Sequence, residues 1–225
     1  MTPKCAMKRI GIGASLALNG LVLGIAMYVW QGSVFRDWIH PVMSSASVSF
    51  FEAYPIEAGD VVLLGDSITA AGQWNEIFPG RAVRNRGIGG DRTDDLLARL
   101  DGIVAVPAAK LFLKIGTNDL GTGVAPEAIV ANYEELLDRI AEAQPTTTVY
   151  VQSVLPRAAD YRMRVESLNE RLRALATQRG LAYVDLYPAF LAEDGSIRDE
   201  FTYDELHLSG AGYREWQRLL APYLE

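Results

Sequence analysis

The 225-residue sequence contains one cysteine, Cys5, and two histidines, His40 and His207. Cys5 precedes everything that reads as a folded domain, so that domain can form no internal disulfide. Two histidines and one remote cysteine are too few for a zinc site. The formal net charge is −7, the opposite of the basic face that a nucleic-acid partner requires. There is no phosphate-loop lysine motif. The glycine run at 87–90 falls short of the dinucleotide pattern, because Arg92 stands where its last glycine should be. Internal repeats and low-complexity tracts are also absent.

Charge is missing from one stretch in particular. Ile10 to Trp30 holds no ionisable residue, and only Ser15 and Asn19 interrupt it with clear polarity. About 20 apolar residues cross a bilayer as a helix, so the stretch reads as a transmembrane signal anchor. Lys4, Lys8 and Arg9 before it favour a cytoplasmic N-terminus. Residues 31–225 carry 28 acids against 18 bases, and on this reading they face away from the cytoplasm. Tyr28 and Trp30 suit an interfacial belt. The competing reading is a signal peptide cleaved near Gly24-Ile25-Ala26, which would make the protein secreted. The expected organisation is an anchor at 1–30, a connector at 31–54 and a catalytic domain at 55–225.

Beyond the connector, strand and helix signals alternate. Short apolar runs fall at 60–64, 82–86, 110–115, 148–154 and 182–186. Between 126 and 143, Ile129, Val130, Tyr133, Leu136, Leu137 and Ile140 recur at helical spacing behind Pro126. Val165, Leu168, Leu172 and Leu175 repeat that spacing, and Tyr213, Trp216 and Leu220 mark a last helix. Such alternation predicts a parallel sheet of about five strands with helices on both faces, and ligands that bind beyond the strands' carboxyl ends.

The residues ending those runs are small and polar: Gly65-Asp66-Ser67, Gly87 to Asp91, and Gly116 to Asp119. A serine becomes a nucleophile only with a base beside it. His40 lies in the connector, which leaves His207, with Asp204 three residues before it. That spacing can set a carboxylate on one imidazole nitrogen and leave the other for Ser67. Each piece alone has a plain reading as a turn or a cap. Their joint occurrence at successive strand ends is what points to chemistry.

Together these blocks resemble the SGNH, or GDSL, hydrolase family: "GDSI" at 65–68, "NRGIGGDRT" at 85–93, "GTND" at 116–119 and "DELH" at 204–207. The segments "VYVQSVLP" and "FTYDELHL" resemble a bacterial subgroup of GDSL-type and sialate O-acetylesterase-like proteins. The third block departs mildly, lacking a second glycine before Asn118. The resemblance implies a flavodoxin-like three-layer α/β/α sandwich with strand order 2-1-3-4-5. It implies Ser67 as nucleophile, His207 as base and Asp204 as its orienting acid. The oxyanion hole would comprise the Ser67 and Gly90 N–H groups and the Asn118 side chain. Asp66 and Asp91 read as loop-organising carboxylates. The expected reaction is ester hydrolysis through an acyl-serine, without metal or cofactor, on small acyl groups such as acetyl, including those on carbohydrate. The alternatives are a membrane-proximal lysophospholipase or thioesterase, and an anchored carbohydrate-binding protein without activity.

Overall fold

The computed structural model describes residues 18–27 and 34–224. Residues 18–27 are helical. The rest of the expected span Ile10–Trp30 lies outside the described residues, as does Cys5. Among the described residues, no helix is long and apolar enough to cross a membrane, so the transmembrane helix expected there is without structural support. The chain divides into two compact units at Met43/Ser44. Within the expected connector, a π-helical stretch at Phe35–Ile39 is followed by helix α1, His40–Ala53.

The second unit holds five parallel strands: β1 Val61–Gly65, β2 Val83–Gly87, β3 Lys110–Lys114, β4 Thr148–Gln152 and β5 Ala182–Val184. Each coincides with one of the apolar runs. Their order is β2-β1-β3-β4-β5. β1 and β3 pair from Val61↔Lys110 to Gly65↔Lys114, so their ends are level. The crossovers carry α2 Ser67–Ala70, α3 Trp74–Ile77, α4 Thr93–Ala98, α5 Leu100–Val104, α6 Thr117–Gly121 and α7 Pro126–Ala143. α8 Arg162–Gln178, α9 Tyr187–Phe190 and α10 Gly210–Leu224 complete the unit.

Side chains alternate across a strand, and here the alternation feeds two cores. Val62, Leu64, Leu111, Leu113, Val149 and Val151 face a cluster completed by α4, α5, α7 and α8. Leu63, Phe112 and Val184 face the other, with Ile68, Trp74, Phe190, Trp216 and Leu220. The result is the three-layer α/β sandwich. Burial on both faces explains why the inner strands β1 and β3 read as nearly continuous apolar runs. The charged exceptions at depth in the strands are Lys114, which is 1% exposed, and Arg86, at 4%.

Candidate active site

β1 ends where no side chain fits. A Cβ on Gly65 would lie 2.3 Å from the Lys114 carbonyl oxygen and 2.4 Å from Thr69 Oγ1. The glycine lets the chain turn tightly into α2, whose first residue is Ser67. The Asp66 carboxylate caps this turn, accepting from the Ile68 N–H at 3.0 Å. Asp66 is itself fully buried, 3.7 Å from Lys114 Nζ. Burial pulls the Lys114 ammonium below its usual range, and the Asp66 charge opposes that pull.

The carbonyls of this short helix and the turn after it are taken by side chains from three other elements. The Tyr213 hydroxyl donates to Ile68 O at 2.7 Å, Trp74 Nε1 to Thr69 O at 2.8 Å, and Asn85 Nδ2 to Ala70 O at 2.9 Å. Helix ends leave carbonyls without intrahelical partners. Here those bonds fasten the serine's platform to α10, α3 and β2.

Ser67 Oγ lies 3.0 Å from His207 Nε2, across 140 residues of sequence. His207 Nδ1 lies 2.7 Å from Asp204 Oδ2. The other carboxylate oxygen of Asp204 accepts the backbone N–H groups of His207 at 2.7 Å and Leu206 at 3.1 Å. Partial burial pushes the Asp204 carboxyl up. The bonds from the His207 ring, His207 N–H and Leu206 N–H outweigh that and hold it below the usual carboxylate range. The turn closes through Glu205 at φ +62°, the only non-glycine with positive φ among the described residues. The imidazole is half-buried, and the exposed Tyr203 ring lies nearly parallel to it, centroids 6.2 Å apart. The other two serines at this edge are engaged in structure. Ser153 Oγ accepts from Leu186 and Tyr187 N–H, and Ser209 Oγ donates to Glu200 O.

Gly90 stands on the loop after β2, and Asn118 in the first turn of α6 after β3. Gly90 has φ +83°, a conformation that favours glycine. Asn118 Nδ2 donates to the Asp91 carbonyl at 2.8 Å, and an amide has a second hydrogen to offer. The Asp91 carboxylate meets Arg99 Nε at 2.7 Å, and both side chains are buried. Arg99 also reaches the Arg86 carbonyl at 2.9 Å and that of Gly65 at 3.3 Å. One guanidinium thus joins the ends of β1 and β2 to the loop that carries Gly90. Asp119, buried, accepts from Thr93 Oγ1 at 2.6 Å and from Thr93 N–H. Burial raises its pKa against the Thr93 bonds.

Ser67, Asp204 and His207 are therefore in one hydrogen-bonded series, with Asn118 tethered one residue past Gly90. His40 takes no part in that series. The reading of Asp66 and Asp91 as loop organisers fits their bonds. Arg99, Lys114 and Glu205 were not singled out in the sequence, and Tyr213 was read only as a mark of the last helix. The nearest signal was the small-residue clustering at the strand ends, which implies supporting side chains without naming them.

A hydroxyl, an imidazole and a carboxylate in series, above the carboxyl edge of a parallel sheet, are the arrangement with which α/β hydrolases activate a serine. The family model for GDSL-like lipases and acylhydrolases matches residues 63–215. The chain belongs to that family and is a carboxylic ester hydrolase. It is similar to the platelet-activating factor acetylhydrolase IB subunit alpha1 of Homo sapiens, 32% identical over 164 residues that cover 68% of this chain and 70% of that protein. Among solved structures it is similar to a Streptococcus pneumonia protein described provisionally as a platelet activating factor. That match has TM-score 0.77 and 26% identity, and covers 90% of this chain and 99% of that one. A GDSL-like lipase from Bacteroides thetaiotaomicron shares the fold, with TM-score 0.69 at 23% identity over 79% of this chain and 96% of that one.

Proposed function

We propose that the protein removes small acyl groups, acetyl above all, from an ester, with Ser67 as nucleophile. The observation that carries this reading is the continuous Ser67–His207–Asp204 contact at 3.0 and 2.7 Å. His207 Nε2 takes the Ser67 proton as Oγ attacks the ester carbonyl. Asp204 holds the ring in the tautomer with its proton on Nδ1 and stabilises the imidazolium that forms. Charge develops on the carbonyl oxygen, where the Ser67 N–H, the Gly90 N–H and the free hydrogen of the Asn118 amide receive it. Collapse of the intermediate breaks the ester bond, and His207 gives its proton to the departing alcohol. Water, deprotonated by the same imidazole, then frees the acid from the acyl-serine. The scheme needs no metal and no organic cofactor.

The acetyl preference is supported by the names of the relatives and by short connections that leave no long insertion to build a lid. A carbohydrate alcohol is one reading of the leaving half. A lipid alcohol is the second, favoured by the platelet-activating factor acetylhydrolases that the chain resembles. A purely binding protein would have no use for the Ser67–His207 contact. The 10–30 segment, with its preceding basic residues, supports tethering to a membrane with the catalytic domain outside the cytoplasm. Cleavage of that segment would release the domain instead.

A fluorophosphonate probe tests the assignment. The adduct should map to Ser67 alone, and an adduct on Ser153 or Ser209 would overturn it. A series of p-nitrophenyl esters of increasing acyl length should show its optimum at acetate. An optimum at a long acyl chain would replace deacetylation with lipid deacylation.

A further inference from the structure

The Asp91 carbonyl takes one hydrogen of the Asn118 amide. A second anchor reaches Asn118 through its backbone. The loop after β4 packs against the start of α6: a Cβ on Gly116 would lie 3.5 Å from Val154 Cγ2. That loop is itself clamped. The buried Asn169 side chain of α8 accepts from the Val154 N–H and donates to the Val154 carbonyl, both at 2.8 Å. The Ile197 N–H donates to the Arg157 carbonyl at 3.1 Å.

From this frame the Arg157 side chain reaches α6. Its Nη1 donates to the Thr117 carbonyl at 3.0 Å. The guanidinium lies over the Tyr161 ring, 3.8 Å from its centroid. Gly121 leaves it room, since a Cβ there would lie 3.1 Å from the same Nη1. The Thr117 carbonyl belongs to the peptide unit whose other half is the Asn118 N–H, and that unit is planar. A bond to its oxygen therefore fixes the plane from which the Asn118 side chain projects.

The arrangement is costly for what it holds. No carboxylate among the described residues forms an ion pair with Arg157, in contrast to Arg99 with Asp91. Its Nε is buried without a hydrogen-bond partner. Burial pulls the guanidinium below its usual range. An apolar side chain of similar volume would fill such a place at least as stably. Packing alone does not explain an arginine here.

We propose that Arg157 is a positioning residue for the oxyanion hole, setting the Asn118 peptide through the Thr117 carbonyl so that the free amide hydrogen meets the reacting ester's oxygen. The proposal rests on the reading of Asn118 as an oxyanion donor. Hydrogen bonds weaken steeply with misalignment, and a misplacement of about 1 Å can cost about 10²-fold in rate. Asn118 keeps its bond to Asp91 without Arg157, so the expected loss is smaller.

Arg157→Met provides the test, because it keeps an unbranched stem and removes the donor and the charge. In the full chain its Tm should hold. With p-nitrophenyl acetate, kcat should fall about tenfold at constant KM. Arg157→Lys keeps a donor, though without the planar fork, and should stay within about threefold of the wild type. In an Asn118→Ala background, Arg157→Met should change kcat by less than about twofold, because the group it positions is gone. The same tenfold loss in both backgrounds would overturn the proposal and leave Asn118 as the donor. So would an unchanged kcat in Arg157→Met, or an effect confined to KM. An unchanged kcat in Asn118→Ala alone would overturn the oxyanion reading, and the proposal with it.

Discussion

Asp66 and Asp204 each lie next to a residue of the hydrogen-bonded Ser67–His207 pair, and their surroundings are opposite. Asp66 is fully buried, caps the Ser67 turn and faces a fully buried lysine. The Asp204 side chain is 40% exposed and receives the His207 ring and two backbone N–H groups of its own turn. The serine's platform is fastened from three elements and packed on a core. His207 stands on a short surface turn closed by a residue at positive φ. Ser67 is thus positioned by the whole fold, and His207 by four residues. Damage to the first should appear as lost stability, and damage to the second as lost rate.

The sharpest break of this contrast is the pair of alanine variants. Asp204→Ala should lower kcat by about 10⁴-fold, the scale of losing the carboxylate of a triad, with little movement of Tm. Asp66→Ala leaves Lys114 buried without its counter-charge, and denaturation should show a loss of about 3–5 kcal/mol. If Asp66→Ala kept full stability, the buried pair would not be what anchors the nucleophile. Asn118→Ala should come next, lowering kcat by about 10²–10³-fold. Its KM should hold, because the amide acts on charge that appears in the transition state. A change confined to KM would make Asn118 a ground-state contact.

Tyr213 joins the two regions, since its helix follows the His207 turn and its hydroxyl holds Ile68 O at 2.7 Å. Tyr213→Phe should cost about 1 kcal/mol of stability, the usual net value of one hydrogen bond. It should lower kcat by up to about tenfold at constant KM. An unchanged kcat would show that the platform holds its register without this bond. The smallest effect concerns pH. Hydrogen bonds hold the folded Asp204 carboxyl below its usual range, against the upward push of burial. The stabilisation they give is present above the unfolded value of about 3.9 and is lost as pH falls through the lower folded value. The Tm gap between wild type and Asp204→Asn should therefore narrow from about pH 5 to about pH 2. Exposure keeps the gap small, and a gap constant with pH would place the stabilisation elsewhere.

The inner strands β1 and β3 were legible because each is a short, mostly apolar run buried on both faces, and the period of α7 because one helical face meets the core. Ser67, His207 and Asp204 were legible for a different reason. With two histidines in the chain, the choice of base was almost forced, and Asp204 lies within one turn of it. Glu205 carried no such sign: glutamate is an ordinary residue, and only the backbone reveals that it sits at φ +62°.

The sequence by itself determined the order of strands and helices, the small-residue turns after β1 and β3, and the Asp204–His207 turn, because all of these depend on neighbours in the chain. Tertiary structure alone decided the rest. Lys114 falls within a run that reads as apolar, and it is tolerated there because β3 lies beside β1 and brings Asp66 to it. Arg99 joins two strand ends and a loop because α4 packs against them. The 3.0 Å approach of Ser67 to His207 closes 140 residues of chain. No local periodicity encodes those distances. They follow from the way the helices pack on the two faces of the sheet.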